Sequence, residues 1–319
     1  MKKIVISIFS SVLVMSSFSF GSLSAAEPVQ GISVQVIGSG GPYLNDNRAS
    51  ASYLIWVDGK AKIMVDAGGG SSLNFEKSGA NILDIDAILF THFHEDHAAE
   101  FPVYIKASVI NDREKTLHVM GPARNESTEG TSEFVNNLYD PDNGIFKFTA
   151  KGATYDSPAP YIFGRVATKD IRFKFDVTDV LLDKTVHSYT LSESITVSAI
   201  QTEHAILPAV AWRVDIGDKS VTFTGDMTNH FNTVAMLAKG SDLLIAHNTV
   251  PEPTTSGRYS MHMPPSEIAK IASEANVKKL VLSHRSPRLV ALDPQSIEII
   301  QKSYRGPIVI ADDMDEYPL

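Results

Sequence analysis

Residues 91–97 read Thr91-His92-Phe93-His94-Glu95-Asp96-His97, and the reading of the whole chain turns on this heptapeptide. Three imidazoles and an aspartate fall between positions 92 and 97, donor types that suit zinc and its first-row neighbours. The run before it, Ile85-Asp86-Ala87-Ile88-Leu89-Phe90, has the length and apolar content of a buried strand. The donors are therefore expected at the C-terminal end of a strand, where sites in α/β proteins lie.

Three further donors repeat that placement downstream. His204 follows a strand-like run at 195–200, in Gln201-Thr202-Glu203-His204. Asp226 follows a run at 220–224, in Thr224-Gly225-Asp226-Met227, and His284 follows a run at 280–282, in Ser283-His284-Arg285. Upstream, Asp66-Ala67-Gly68-Gly69-Gly70 lacks the Lys-Ser/Thr that a nucleotide-binding loop needs. It reads as a tight loop beneath the site, with Asp66 either bracing the donors or serving as a simple turn residue.

Other elements fill in around these. Strands are expected at 32–37, 53–57 and 62–65, the last two paired around Asp58-Gly59, and at 117–120, 209–214, 243–246 and 308–310. Helices are expected over 98–108 and about 265–275. This order predicts an α/β layered fold. Residues 123–180 are the least regular and read as loops and short elements overhanging the site. Their aromatics (Tyr139, Phe146, Tyr155, Tyr161, Phe163) either line a pocket or pack a small subdomain, packing being the plainer reading.

Composition narrows the setting. Lys2 and Lys3, an apolar core from Ile4 to Met15 and the small residues Ser24-Ala25-Ala26 predict a signal peptide over 1–26, ahead of one domain over 27–319. Its removal takes the formal charge from −9 to −11. The chain has no cysteine, which excludes disulfides, thiolate ligands and thiol nucleophiles. The acidity argues against non-specific binding to nucleic acid.

The ordered set His-x-His-x-Asp-His, His, Gly-Asp, His resembles the signature of the metallo-β-lactamase superfamily. Within it, Gly38-Ser39-Gly40-Gly41-Pro42, Val281-Leu282-Ser283-His284-Arg285-Ser286-Pro287-Arg288 and Ala311-Asp312-Asp313-Met314 look like the ribonuclease Z and arylsulfatase-like branch. The resemblance implies a four-layer αββα sandwich and a binuclear centre. His92, His94 and His204 would bind one metal, Asp96, His97 and His284 the other, and Asp226 would bridge them. Two Zn2+ are the implied cofactors, with Mn2+ or Fe suited to the same donors, and a metal-bridging hydroxide is the implied nucleophile. Asp96 and His262, in Met261-His262-Met263-Pro264-Pro265, are the candidate catalytic residues, His262 lying near the leaving group. His247 falls near a His-Glu-Ala-Thr motif of ribonuclease Z without its acidic residue, which leaves an orienting pair with His262 in doubt. His118 and His187 read as structural, and His230 as a residue beside the site.

Asp226 lies only 22 positions after His204, too close for the long tRNA-gripping arm of ribonuclease Z between them. With the acidity and the signal peptide, this leads to an expected periplasmic or secreted hydrolase of small anionic esters, an aryl sulfate or a phosphodiester. No nucleic-acid partner is expected, and no membrane after signal cleavage. The alternatives are a lactonase or other carboxylic ester or amide hydrolase, including β-lactamase-like activity, and a non-catalytic metal-binding protein. Oligomeric state is left open.

Overall fold

Alternate residues of the strands face two different apolar environments, and that alternation builds the architecture. The computed structural model describes residues 31–140, 142–150, 174–253 and 261–319. The signal-peptide expectation on 1–26, and Tyr155, Tyr161 and Phe163, lie outside the described residues. In chain order the strands are β1 (Ile32–Gly38), β2 (Ser52–Val57), β3 (Lys60–Val65), β4 (Ala87–Leu89), β5 (Leu117–Pro122), β6 (Phe175–Val180) and β7 (His187–Thr190). They continue with β8 (Ile195–His204), β9 (Leu207–Ile216), β10 (Lys219–Phe223), β11 (Leu243–His247), β12 (Leu280–Ser283), β13 (Ile308–Ile310) and β14 (Glu316–Pro318).

They form two seven-stranded sheets, ordered β14-β1-β2-β3-β4-β5-β6 and β13-β12-β11-β10-β9-β8-β7. One parity of residues, including Val34, Tyr53, Ile63 and Leu89 of the first sheet and Val197, Trp212, Phe223 and Ile245 of the second, meets in a core between the sheets. The other parity faces outward. Leu54, Met64 and Ile88 pack with Phe101, Tyr104 and Ile105 of the helix Phe101–Ile110. Leu244, Ala246 and Leu282 pack with Ile268 and Ile271 of the helix Pro265–Glu274. Strands covered on both faces are apolar on both, which is why the runs read as continuous rather than alternating. The result is the expected four-layer αββα sandwich.

The hairpin predicted at Asp58-Gly59 forms with both residues at positive φ, 49° and 74°, which matches the twist of the strands it joins. Much of 123–180 belongs to the framework. The helix Thr131–Tyr139 packs on the first sheet, and β6 extends that sheet parallel to β5. Tyr139 is buried against Phe101 and Phe175, in keeping with the packing reading. The strand β6 lies at a sheet edge and carries Asp and Thr, so its composition hides it among loops.

Candidate metal centre

The heptapeptide leaves the end of β4 and is held by one carboxylate. Asp66 follows β3 in the left-handed region (φ 57°) and is fully buried. It accepts from the Thr91 amide and the Thr91 hydroxyl, each at 2.8 Å, and lies 2.8 Å from His97 Nδ1. Both ends of the loop are therefore tied to a single point, and Asp66 braces the donors rather than serving as a plain turn.

The second sheet brings the other donors to the same place. His204 is the last residue of β8 and His247 the last of β11. His284 directly follows β12 with φ 55°, a conformation that costs a non-glycine residue energy and is kept where geometry demands it. Asp226 follows β10 through Gly225, whose φ is +60° and where a Cβ would lie 2.7 Å from Thr91 Cβ. Only glycine lets the Asp226 loop approach the His loop this closely.

The donor atoms form two groups. His94 Nδ1 lies 3.1 Å from His92 Nε2 and 3.2 Å from His204 Nε2. His284 Nε2 lies 3.1 Å from both His97 Nε2 and Asp96 Oδ2. Between them, Asp226 Oδ2 is 3.5 Å from His284 Nε2, 3.7 Å from His97 Nε2 and 4.0 Å from His204 Nε2. His92, His97, His204, Asp226 and His284 are nearly or fully buried, while His94 and Asp96 are partly exposed.

The chemistry of this set fits cations. His204 Nδ1 sits 3.0 Å from the Met261 carbonyl, which accepts its proton. Thr249 donates its hydroxyl to the His284 carbonyl, so at 2.8 Å the same oxygen accepts from His284 Nδ1. Thr91 donates to Asp66 and so accepts from His92 Nδ1 at 3.1 Å. Asp66 accepts from His97 Nδ1. In each neutral ring the outer nitrogen thus carries the proton, and an unprotonated Nε2 faces the centre. Lone pairs turned toward one another are repulsive unless a positive charge sits among them.

The ionisation of the residues follows this crowding. Burial, then the charges of His97 and His204, holds His92 well below the ordinary histidine range. Burial lowers His204 to about 4 and His247 to about 3. For His97, burial is outweighed by Asp96 and Asp66, and its pKa is raised. His284 is also raised, Asp226 and Asp96 prevailing over burial. Burial pushes Asp96 up, but His97 and His284 bring it down to about 2.

Every donor singled out in the sequence is here: His92, His94, Asp96, His97, His204, Asp226 and His284. His262 is beside them, its Nδ1 3.6 Å from Asp226 Oδ2 and its ring 5.3 Å from that of His204. Its buried Nδ1 makes no hydrogen bond among the described residues, and the residue after His247 is Asn248, not an acid. His118 and His187 pair with Asp176 and Asp183 away from the centre, as structural residues. The exposed His230 pairs with Glu203. The bracing roles of Thr91, Thr249 and Met261 left no sequence signal. His247 did leave one, a polar residue ending an apolar run, and its Nδ1 lies 2.7 Å from Asp226 Oδ1.

A cavity of ≈ 280 Å³ opens above this centre, lined by Tyr43, His94, Asp96, Asp226, Val250 and His262 among others. The metallo-beta-lactamase superfamily profile matches residues 45–256, and the chain belongs to that superfamily. With the buried His/Asp groups, membership defines a metal-dependent hydrolase. The chain is 26% identical over 284 residues to a ribonuclease Z of Thermoplasma volcanium, covering 82% of this chain and 90% of that one. It is 27% identical to a ribonuclease Z of Metallosphaera sedula, covering 80% of this chain and 88% of that one. Human tRNase Z, short form, shares the fold with a TM-score of 0.65 at 18% identity, over 89% of this chain and 98% of that one.

These relatives overturn two expectations. A hydrolase of small anionic esters, with no nucleic-acid partner, was expected, whereas the curated relatives are named for action on RNA. Net charge averages over the whole surface, while a phosphate is met locally at a cationic centre. The residues between His204 and Asp226 are spent on β9 and β10, so their number reports strand length, not substrate.

Proposed function

We propose that the chain is a metal-dependent phosphodiesterase acting on RNA. The observation that carries this is the convergence of two donor groups on Asp226 Oδ2 beneath an open cavity; the ribonuclease Z relatives supply the substrate class. His92, His94 and His204 would hold one Zn2+ and Asp96, His97 and His284 the other, with Asp226 facing both. When bound, such a pair supplies positive charge for the non-bridging phosphate oxygens and an acidified water.

The remaining roles belong to the chain's own residues. Asp96 lines the cavity and stays ionised through neutral pH, so it offers a fixed acceptor for the proton of an attacking water. His262 stands on the cavity wall with an unengaged Nδ1, placed to give a proton to the departing oxygen or to hold an anionic one. Pro42, Tyr43 and Val250 narrow the mouth with apolar surface.

The test is incubation of zinc-loaded protein with an RNA carrying a transfer-RNA fold and a 3′ extension, with DNA of the same sequence, and with an aryl phosphodiester. Cleavage of the RNA, abolished by chelator and restored by Zn2+, is the expected result. Zinc-loaded protein that leaves the RNA intact would overturn the proposal, whatever it does to the aryl ester.

A further inference from the structure

Tyr53 sits in the middle of β2 and points into the core between the sheets, fully buried and packed 5.3 Å from the Phe223 ring. A phenol hydroxyl is costly there without a partner, and phenylalanine would fill the same space at no such cost. Its hydroxyl has two partners, both from the opposite sheet. It lies 3.0 Å from His247 Nε2 and 2.9 Å from Ser283 Oγ. Ser283 immediately precedes His284. The other nitrogen of His247 lies 2.7 Å from Asp226 Oδ1.

The chain of contacts therefore runs from the first sheet, through His247, to the carboxylate between the two donor groups. Its geometry divides the labour of that carboxylate. Oδ1 is taken by His247, and Oδ2 alone faces His97, His204 and His284. Turning the His247 ring over would put a carbon in place of each nitrogen, so the contacts to Asp226 and Tyr53 hold or fail together. The ring is further held by stacking on His284, at 4.7 Å and 21°.

We propose that Tyr53 and His247 are positioning residues for the metal centre: Tyr53 fixes the orientation of His247, and His247 holds Asp226 so that Oδ2 is the shared donor. This rests on the metal-centre reading above. It also gives the hydrophobic core a direct hand in the site, because the two sheets must be docked for the carboxylate to be aimed.

Substitutions that separate the two imidazole nitrogens test it. In His247→Asn the side-chain amide takes the place of Nδ1 and keeps the donor to Asp226, while contact with Tyr53 is lost. His247→Ala removes both, and Tyr53→Phe removes only the hydroxyl. Metal-free protein is titrated with Zn2+ against a chromophoric chelator, and the thermal midpoint of each metal-free variant is recorded alongside. Losing an outer partner of a metal ligand weakens binding about 10- to 100-fold.

The expected pattern is two tight equivalents in the parent and one weakened by about 10-fold or more in Tyr53→Phe and His247→Ala. His247→Asn should recover most of that loss, and Tyr53→Phe should add nothing in the His247→Asn background. Unchanged zinc affinity in Tyr53→Phe, or losses that simply add, would overturn the proposal and leave Tyr53–His247 a core contact felt only in the thermal midpoint. If His247→Ala fails to fold, Tyr53→Phe and His247→Asn decide alone. Failure of the parent itself to bind two equivalents would count against the metal-centre reading instead.

Discussion

A buried histidine needs a reason for each of its two nitrogens, and at this centre the outer ones have theirs. Thr91, Asp66, Met261 and Thr249 occupy the outer nitrogens of His92, His97, His204 and His284. What remains is a set of inward nitrogens that only a positive charge can reconcile. In the metal-free protein that charge is a proton. His97 and His284, both raised above the ordinary histidine value, carry it. A cation must displace it, so zinc affinity should rise with pH until these raised pKa values are passed, and fall as pH drops. Calorimetric titration with Zn2+ at pH 7, in two buffers of different ionisation enthalpy, should show net proton release. Zero release would mean that the raised groups are not the ones that bind. The donors themselves were legible because they are a local pattern. His92 to His97 is one loop, and each later donor ends an apolar run. The partners that orient them were not legible. Tyr53 and His247 meet across 194 positions of sequence, and nothing short-range marks a tyrosine in a strand as anything but core.

At the scale of elements, the site is a product of strand ends. β4, β8, β10, β11 and β12 stop along one edge of the sandwich, and the donor residues stand at or just beyond their last residues. The sheets must therefore be held in fixed relation, and the inner layer does this with more than apolar contact. Trp212 of β9, fully buried, donates its indole N–H to the Phe90 carbonyl at 2.8 Å, one residue before the His loop begins. Trp212→Phe leaves that carbonyl without its partner and opens space beside it. A loss of about 1–3 kcal/mol in urea unfolding of the metal-free protein is expected. A change under about 0.5 kcal/mol would show that the bond does not tie the loop to the second sheet. The strands that carry donors were readable because both their faces are apolar. Two at the edges, β6 and β14, were not, because half-exposed strands with Asp, Glu and Pro share the composition of loops.

For the molecule as a whole, fold class was set by the same few residues that set the chemistry, while substrate was not. A four-layer sandwich with donors at one edge presents a centre that suits any anionic ester, and the mouth residues that choose among esters do not form a motif. The chain's overall acidity misled for this reason: a formal charge of −9 says little about a cavity whose positive charge comes from bound cations. Export through residues 1–26 is a separate proposal, since the chemistry needs no particular compartment. An N-terminus at Glu27 in protein recovered from the producing cell is the expected outcome, and retention of Met1 or Lys2 would contradict it. The central claim is that Asp226 stands between two cation sites built from both sheets. Anomalous diffraction from zinc-equilibrated crystals, recorded on either side of the zinc absorption edge, tests it most directly. Two peaks are predicted, one among His92, His94 and His204 and one among Asp96, His97 and His284, with Asp226 Oδ2 between them. A single peak, or zinc found only at surface histidines such as His187 or His230, would contradict the account.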